Sequence, residues 1–424
     1  MLTDPILTPA LTAPVGCGPL IPAQTDPARS LRRQVFDCVR ASGLIARVDV
    51  AKELAVSPAS VTAIASELIE AGFIREVATP RREGDPLRGR PPVALGVRPA
   101  ARHVAGIKVS DEVTSAIVLD FAGGHVADAT LPRDTLQQGI AQIIDDIETV
   151  LGNALASVGM TRAQISAVGL GLPGVVDHLA GHVLWSPLVR ERDVALQAML
   201  GDRIGLPVNI DNDANLVTLA ELWFGAGRGI SDFVVVTIEH GLGMGLVLNH
   251  RLYRGAQGLG MEFGHTKVQL DGALCRCGSR GCLEAYVADY ALVREARTAL
   301  NLGNRGVKSP QVLLESLYDH AKAGNQAARA IFNRAGRYLA LGLANVINIF
   351  DPSLILLSGE RMRYDYLYAE EVLSEMHALT LQTSRPTPRV EIHAWGDLIW
   401  ARGAAALALD AATAEALGAE QVAA

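Results

Sequence analysis

Three of the five cysteines crowd into Cys275-Arg-Cys277-Gly-Ser-Arg-Gly-Cys282, ten residues after a Gly264-His265 pair, and no other stretch constrains the fold as tightly. Three thiolates and one imidazole are soft-to-borderline ligands, and the two short cysteine spacings allow a tight knuckle. Tetrahedral zinc held by His265, Cys275, Cys277 and Cys282 is therefore the expected occupant. Four protein ligands leave no open position, so the zinc is expected to be structural. Five cysteines in a chain of 424 residues cannot build a disulfide framework. A thiol cluster of this kind implies a reducing compartment, and a cytoplasmic location is expected.

A chain this long exceeds one ordinary core, so two or three folding units are expected. Hydrophobic residues make up 49% and charged residues 20%, with no apolar run near the roughly 20 residues of a membrane span. The stretch 1–28, rich in Pro, Ala and Thr, has no charged n-region and reads as a disordered leader. The net charge of −7 hides an asymmetry: residues 29–92 carry 11 Lys or Arg against 8 Asp or Glu, a balance of +3, which leaves −10 for the rest. A mildly basic head on an acidic body suits a modular DNA-binding protein.

Residues 29–96 carry the pattern of a winged helix-turn-helix. Three short helices are expected over 30–41, 48–54 and 57–71. The last opens on Ser57-Pro58, an N-cap followed by the residue best tolerated at the first helical position. Val61, Ile64, Ala65 and Leu68 form its inner stripe. Ala59, Ser60, Thr62, Ala63 and Ser66, together with Ser57, are left to face outward into a DNA major groove. Strands at 73–77 and 91–95 outline a wing whose loop carries Arg81, Arg82, Arg88 and Arg90. Arg88-Gly89-Arg90-Pro91 has the form of an AT-hook core, so Arg88 and Arg90 are expected on phosphate or in the minor groove.

From 97 to 424 the pattern is α/β, with two lobes at roughly 97–213 plus the C-terminal helix, and 214–395. Strands are expected at 103–109, 114–119, 165–171, 207–210, 232–238, 243–248 and 353–358, with helices at 137–156 and 398–409. Ligands of such folds bind at the carboxyl ends of strands, which places the chemistry in the loops after Gly171, Ile210 and Ile238.

Glu262-Phe-Gly-His265, the cysteine knuckle and Glu284 resemble the signature of the ROK family, bacterial repressors and sugar kinases of the actin-like ATPase (ribonuclease H-like) fold. Gly171-Leu-Pro-Gly174, Asp211-Asn-Asp-Ala-Asn215 and Leu252-Tyr-Arg-Gly255 are similar to further family motifs in the expected order. The helix-turn-helix extends the resemblance to the repressor branch, that of the xylose and N-acetylglucosamine repressors. The resemblance implies sugar contacts at Asn212, Asp213, Glu262, His265 and Glu284, beside the Gly174 loop. Such a set supplies the fixed donors and acceptors that a ring of hydroxyls needs. His265 would serve zinc with one nitrogen and a hydroxyl with the other.

In the family's kinases Asp213 would be the base that takes the sugar proton. The phosphate-binding half departs from the kinase pattern. Where the kinases read Asp-x-Gly-Gly-Thr-Lys, this chain reads Lys108-Val-Ser-Asp-Glu-Val113. The second loop is Glu239-His-Gly-Leu-Gly243, and the glycine pair near the adenine site becomes Leu357-Ser-Gly-Glu360. A carboxylate about 4 Å from a phosphate charge repels it by about 4 kcal/mol at an effective dielectric of about 20. The expectation is a non-enzymatic, sugar- or sugar-phosphate-responsive regulator of carbohydrate genes, acting on double-stranded operator DNA as a homodimer or homotetramer. The alternative is an ATP-dependent sugar kinase.

Overall fold

Side-chain caps fix where the first and third helices of the N-terminal unit begin. The computed structural model describes residues 16–21, 29–78, 93–133, 137–300, 310–359, 370–382, 387–393, 396 and 398–418. Ser30 caps α1 (Leu31–Ser42), accepting from the Arg33 N–H at 3.3 Å. A two-residue strand, β1 (Ile45–Ala46), leads into α2 (Arg47–Glu53). After a turn at Ala55, where φ is 51°, Ser57 caps α3 (Pro58–Glu70) by accepting from the Ser60 N–H at 3.0 Å. β2 (Ile74–Ala78) and β3 (Val93–Val97) pair antiparallel, and β1 adds to the other edge of β3. The wing strands thus start one and two residues later than expected. β1 leaves no sequence signal because two residues show no period. Residues 79–92, with Arg81, Arg82, Arg88 and Arg90, lie outside the described residues.

The body repeats one strand plan twice. In the first lobe β4 (His103–Val109), β5 (Val113–Asp120) and β6 (His125–Pro132) form an antiparallel meander. α4 (Ile140–Ser157) leads to β7 (Ile165–Leu172), parallel to β4. A small hairpin of β8 (Val175–Asp177) and β9 (His182–Trp185) and the helix α5 (Leu196–Ile204) precede β10 (Val208–Asn212), parallel to β7. Helix α6 (Asp213–Phe224) follows without a linker.

In the second lobe β11 (Phe233–Ile238), β12 (Leu242–Leu248) and β13 (Arg251–Tyr253) repeat the meander. Four helices follow: α7 (Glu284–Val287), α8 (Asp289–Ala299), α9 (Pro310–Lys322) and α10 (Gln326–Phe350). β14 (Leu354–Ser358) lies parallel to β11. After α11 (Glu370–Leu379), β15 (Arg389–His393) pairs parallel with β14. The sheet orders, β10-β7-β4-β5-β6 and β15-β14-β11-β12-β13, are the same plan. β6, β8, β9, β13 and β15 are additions to the expected strands. Alternating exposure along β6 and an edge position for β15 leave weak apolar signals.

Between the sheets lie α6 and α12 (Leu398–Leu417). α12 is rich in alanine, so backbones approach closely: a Cβ at Gly403 would fall 1.8 Å from the Leu216 carbonyl oxygen. The head does not have a core of its own. Phe36 of α1 lies 5.1 Å from Phe121 of the body, ring centre to ring centre, and Phe73 lies 6.1 Å from the same ring. One continuous apolar cluster runs from Val39, Leu68 and Leu95 through Phe121 to Trp223, Trp400 and Leu409.

The expected disordered leader needs a correction over its described part. Residues 16–21 are seated in the seam between head and body, with Cys17 fully buried. The Cys17 N–H donates to Arg40 O at 3.0 Å, and the Gly18 N–H donates to Trp223 O at 2.8 Å. Among the described residues, no helix is long and apolar enough to cross a membrane.

Candidate functional site

The first wall of the cleft is built where strands of the first lobe end. Gly174 follows β7 with φ at 125°, and a Cβ there would meet the Trp185 carbonyl oxygen at 2.2 Å, so only glycine fits. β10 runs directly into α6, which places three polar residues at one helix start. Asn212 caps α6, its Oδ1 accepting from the Asn215 N–H at 2.8 Å. Asp213 Oδ1 accepts from the Ala214 N–H at 2.9 Å. Burial raises the Asp213 carboxyl above its ordinary value, and the Lys108 ammonium opposes that rise.

Asp211 stands out in the sequence only as part of its motif, yet it ties the two lobes together. Its buried Oδ2 accepts from Arg254 Nε and Nη2, both at 2.8 Å, and its Oδ1 accepts from Asn215 Nδ2 at 2.7 Å.

The facing wall comes from the second lobe. Glu262 precedes a short 3-10 turn, Phe263–His265, and its Oε2 lies 3.9 Å from His265 Nε2. Burial lifts the Glu262 carboxyl; His265 counteracts this, while the charges of Asp213 and Glu284 add to it. Glu262 therefore sits within electrostatic reach of Asp213, Glu284 and the His265 imidazole. Glu284 begins α7; its Oε2 accepts from the Leu242 N–H at 3.3 Å and its Oε1 from Tyr290 OH at 3.3 Å.

Behind this wall the four expected metal donors converge. The donor atoms of His265, Cys275, Cys277 and Cys282 all lie within 4.8 Å of one another. Cys277 Sγ and Cys282 Sγ are 3.7 Å apart, and Cys275 Sγ is 3.7 Å from His265 Nδ1. A tetrahedron with metal–sulfur bonds of about 2.3 Å and metal–nitrogen bonds of about 2.0 Å requires separations of roughly 3.8 and 3.5 Å. The donor set fits. His265 thus presents Nδ1 to the knuckle and Nε2 to the cleft, and Lys267 Nζ donates to Cys282 Sγ at 2.8 Å.

On the other side of the cleft, the loops expected to be poor phosphate binders meet each other. His240 Nε2 lies 2.8 Å from Asp111 Oδ2 of the first lobe, and its Nδ1 lies 3.2 Å from Asp289 Oδ2 at the start of α8. These two hydrogen bonds hold the imidazole protonated, its pKa pushed up to about 10. Burial pushes the Asp111 carboxyl up, but the bond and charge of His240 more than reverse this and leave it below its ordinary value. Glu239 lies beside Gly359 of the altered glycine pair, its Cγ 3.1 Å from where a Cβ on Gly359 would be. Lys108 is buried with its ammonium 3.7 Å from the Trp400 ring centre. Glu360 lies outside the described residues.

In the head, Ser57, Ala59, Thr62, Ala63 and Ser66 are exposed along one side of α3 and Ser60 is half-buried, while Val61, Ala65 and Leu68 are buried opposite. The Thr62 hydroxyl donates to Pro58 O and the Ser66 hydroxyl to Thr62 O, each oxygen keeping acceptor capacity towards solvent.

The chain matches the ROK family over residues 104–411. It is 26% identical to the xylose repressor of Caldicellulosiruptor bescii over 339 residues, covering 78% of this chain and 82% of that protein. A crystal structure of a ROK family transcriptional regulator, a homolog of the Escherichia coli MLC protein, superposes with a TM-score of 0.74 at 25% identity, covering 91% of this chain and 96% of the other. The ROK family glucokinase of Streptomyces griseus, solved with glucose and AMPPNP, superposes with a TM-score of 0.62 at 29% identity. It covers 73% of this chain and 99% of its own, and so aligns with the body. With its paired five-stranded lobes, the knuckle behind their cleft and a family match spanning nearly all of the body, this chain belongs to the ROK family.

Proposed function

We propose that this protein is a sugar-responsive transcriptional repressor of carbohydrate genes, with a helix-turn-helix head that reads operator DNA and a cleft that holds a sugar or sugar phosphate. One observation carries the reading: a helix with an exposed small and polar face belongs to a head whose apolar core runs unbroken into α6, and α6 starts at the cleft residues Asn212 and Asp213, which face Glu262, His265 and Glu284. Those five side chains offer acceptors in excess, which suits a ring of hydroxyl donors. Ser57, Ala59, Ser60, Thr62, Ala63 and Ser66 would face base edges, and Arg88 and Arg90 the backbone or minor groove. A homodimer or homotetramer is part of the proposal, since one such head reads too few bases to be selective.

His265, Cys275, Cys277 and Cys282 would hold zinc, whose contribution is a rigid tie that fixes the tautomer and direction of His265. The chain's own residues then do the sensing. Nε2 of His265 and the Glu262 and Glu284 carboxylates take sugar hydroxyls from one lobe, Asn212 and Asp213 from the other, so a bound sugar favours the closed cleft.

The phosphate side supports a sensor over a kinase, because its loops are joined by the Asp111–His240–Asp289 bridge. A sugar kinase is the second reading, favoured by Asp213 at the start of α6 and by the likeness to the glucokinase. The test measures operator affinity with and without a sugar that raises the protein's melting temperature, alongside ATP consumption with the same sugar. Weakened operator binding without ATP turnover is expected; a bound sugar that leaves operator affinity unchanged, or that triggers ATP hydrolysis, overturns the reading.

A further inference from the structure

Helix α6 begins in the cleft and ends under the DNA-binding head. At its start, Asn212 and Asp213 use their side-chain oxygens on the N–H groups of Asn215 and Ala214 at 2.8 and 2.9 Å, so the atoms offered to a ligand are the ones that cap the helix. One residue upstream, Asp211 is clamped by Arg254 of the other lobe. Along its length α6 is buried from Ala214 to Trp223. It is wedged between α12 and strands of both sheets, with the α12 backbone against Leu216 at Gly403. Such a helix has no room to bend and carries a shift at one end to the other, about 18 Å away at 1.5 Å per residue.

At its far end Trp223 is 4% exposed and lies beneath the head. The Arg40 guanidinium of α1 stands 4.6 Å over the indole and 5.2 Å over Phe36. Arg40 also donates to Asp37 Oδ1 and Thr413 Oγ1, both at 2.8 Å. The seam segment closes the joint: Gly18 N–H donates to Trp223 O, while Arg228, just past α6, donates to Gly18 O and Ala41 O. A cavity of about 370 Å³ lies along α1, between Leu20 and Ile21 of the seam and Asp37, Cys38 and Leu54 of the head.

We propose that α6 transmits occupancy of the cleft to the head, with the Trp223–Arg40 contact as the joint where its movement repositions α1. The proposal rests on the sugar-responsive reading above. A ligand engaging Asn212 or Asp213 pulls on the first turn of α6. The helix moves as a body, and Arg40, stacked on its last turn and bonded to α12, carries α1 and the helices packed on it. Trp223 and Arg40 are positioning residues: they touch neither sugar nor DNA.

The test uses the full-length protein, DNA selected by it from a random-sequence pool, and D-xylose or D-glucose, whichever raises its melting temperature. For the wild-type protein, saturating sugar is expected to weaken DNA binding by about 5- to 150-fold, the usual range of coupling between sites, and DNA to weaken sugar binding by the same factor. In Trp223→Leu the two separate affinities should stay within about threefold of wild type while the coupling falls below about twofold; Trp223→Phe should keep most of it. Arg40→Lys, which retains the charge, serves if Trp223→Leu does not fold, and should also lower the coupling. Sugar-induced changes in amide hydrogen exchange across Leu31–Ser42 should vanish in the same variants. Full coupling in folded Trp223→Leu or Arg40→Lys overturns the assignment of the joint. Absence of coupling in the wild-type protein overturns the sensor reading itself, and this inference with it.

Discussion

Replacing His240 with Gln tests the bridge that joins the two lobes on the phosphate side. Its imidazole sits between Asp111 Oδ2 at 2.8 Å and Asp289 Oδ2 at 3.2 Å, and its pKa is pushed from 6.5 up to about 10. For a fully enclosed group that rise would correspond to about 5 kcal/mol. The His240 side chain is 39% exposed, and solvent screening reduces the contribution to about 1–2 kcal/mol. A raised histidine pKa stabilises the folded state fully below about pH 6.5 and ceases to do so as the pH climbs through 10. Asp111, held low, adds its share above the ordinary carboxylate range and loses it as the pH falls through its folded value. At about 2 cal/mol/K per residue of unfolding entropy, the protein should melt roughly 1–3 °C lower in His240→Gln at pH 6. The gap should narrow steadily and close near pH 10. Differential scanning of both proteins at pH 6, 7.5, 9 and 10 provides the measurement. A difference that is absent at pH 6, or constant across the series, would refute the charged bridge.

Three further outcomes are expected. Purified protein prepared without chelators should carry about one zinc per chain by elemental analysis, and Cys277→Ser should lose the metal together with the sugar-induced melting shift, because Nδ1 of His265 would no longer be held; zinc-free but sugar-responsive protein would count against the knuckle as a support of the cleft. Asp213→Asn should weaken sugar binding by about 1.5–3 kcal/mol through loss of a charge-assisted hydrogen bond, read by calorimetry, with no ATP turnover in either protein; sugar-dependent turnover that vanishes in the variant would establish the kinase. Arg90→Ala should lower operator affinity and flatten its salt dependence by about one contact, with the larger loss on A·T-rich flanks; an unchanged salt slope would remove the wing arginine from the interface.

Wherever a polar group at a fixed spacing has one cheap solution, the sequence was readable. Ser57-Pro58 can start a helix and little else, and α3 begins at Pro58. The His265 and cysteine spacing brought four donors to within 4.8 Å. Asn212 and Asp213 were identified through their motif, and their place at a strand-to-helix junction explains the motif. What stayed hidden involves partners far apart in the chain. Asp211 and Arg254 are separated by 43 residues, and nothing in either neighbourhood announces the other. His240 lay in a loop read only for what it lacked, so its contact with Asp111 across the lobes had no local signal. The Pro- and Ala-rich composition around residues 16–21 conceals the backbone hydrogen bonds that seat Cys17 and Gly18, since those bonds depend on Arg40 and Trp223 and carry no side-chain signature.

The seam bears on how such proteins can be cut and recombined. A head that merely hung on a linker could be exchanged between relatives by joining chains near residue 96. Here the apolar interior passes without interruption from Phe36 and Leu95 to Phe121 and Trp223, and residues 16–21 lie across the join from the N-terminal side. A chimera spliced only at 96 would set foreign side chains against Phe121 and Trp223. A workable graft has two borders, and the second runs through the body, around Arg40's partners Trp223 and Thr413 and around Arg228, which holds Gly18 and Ala41. Heads and bodies of this architecture would then be inherited as matched pairs, and operator preference would drift together with the surface on which the head rests.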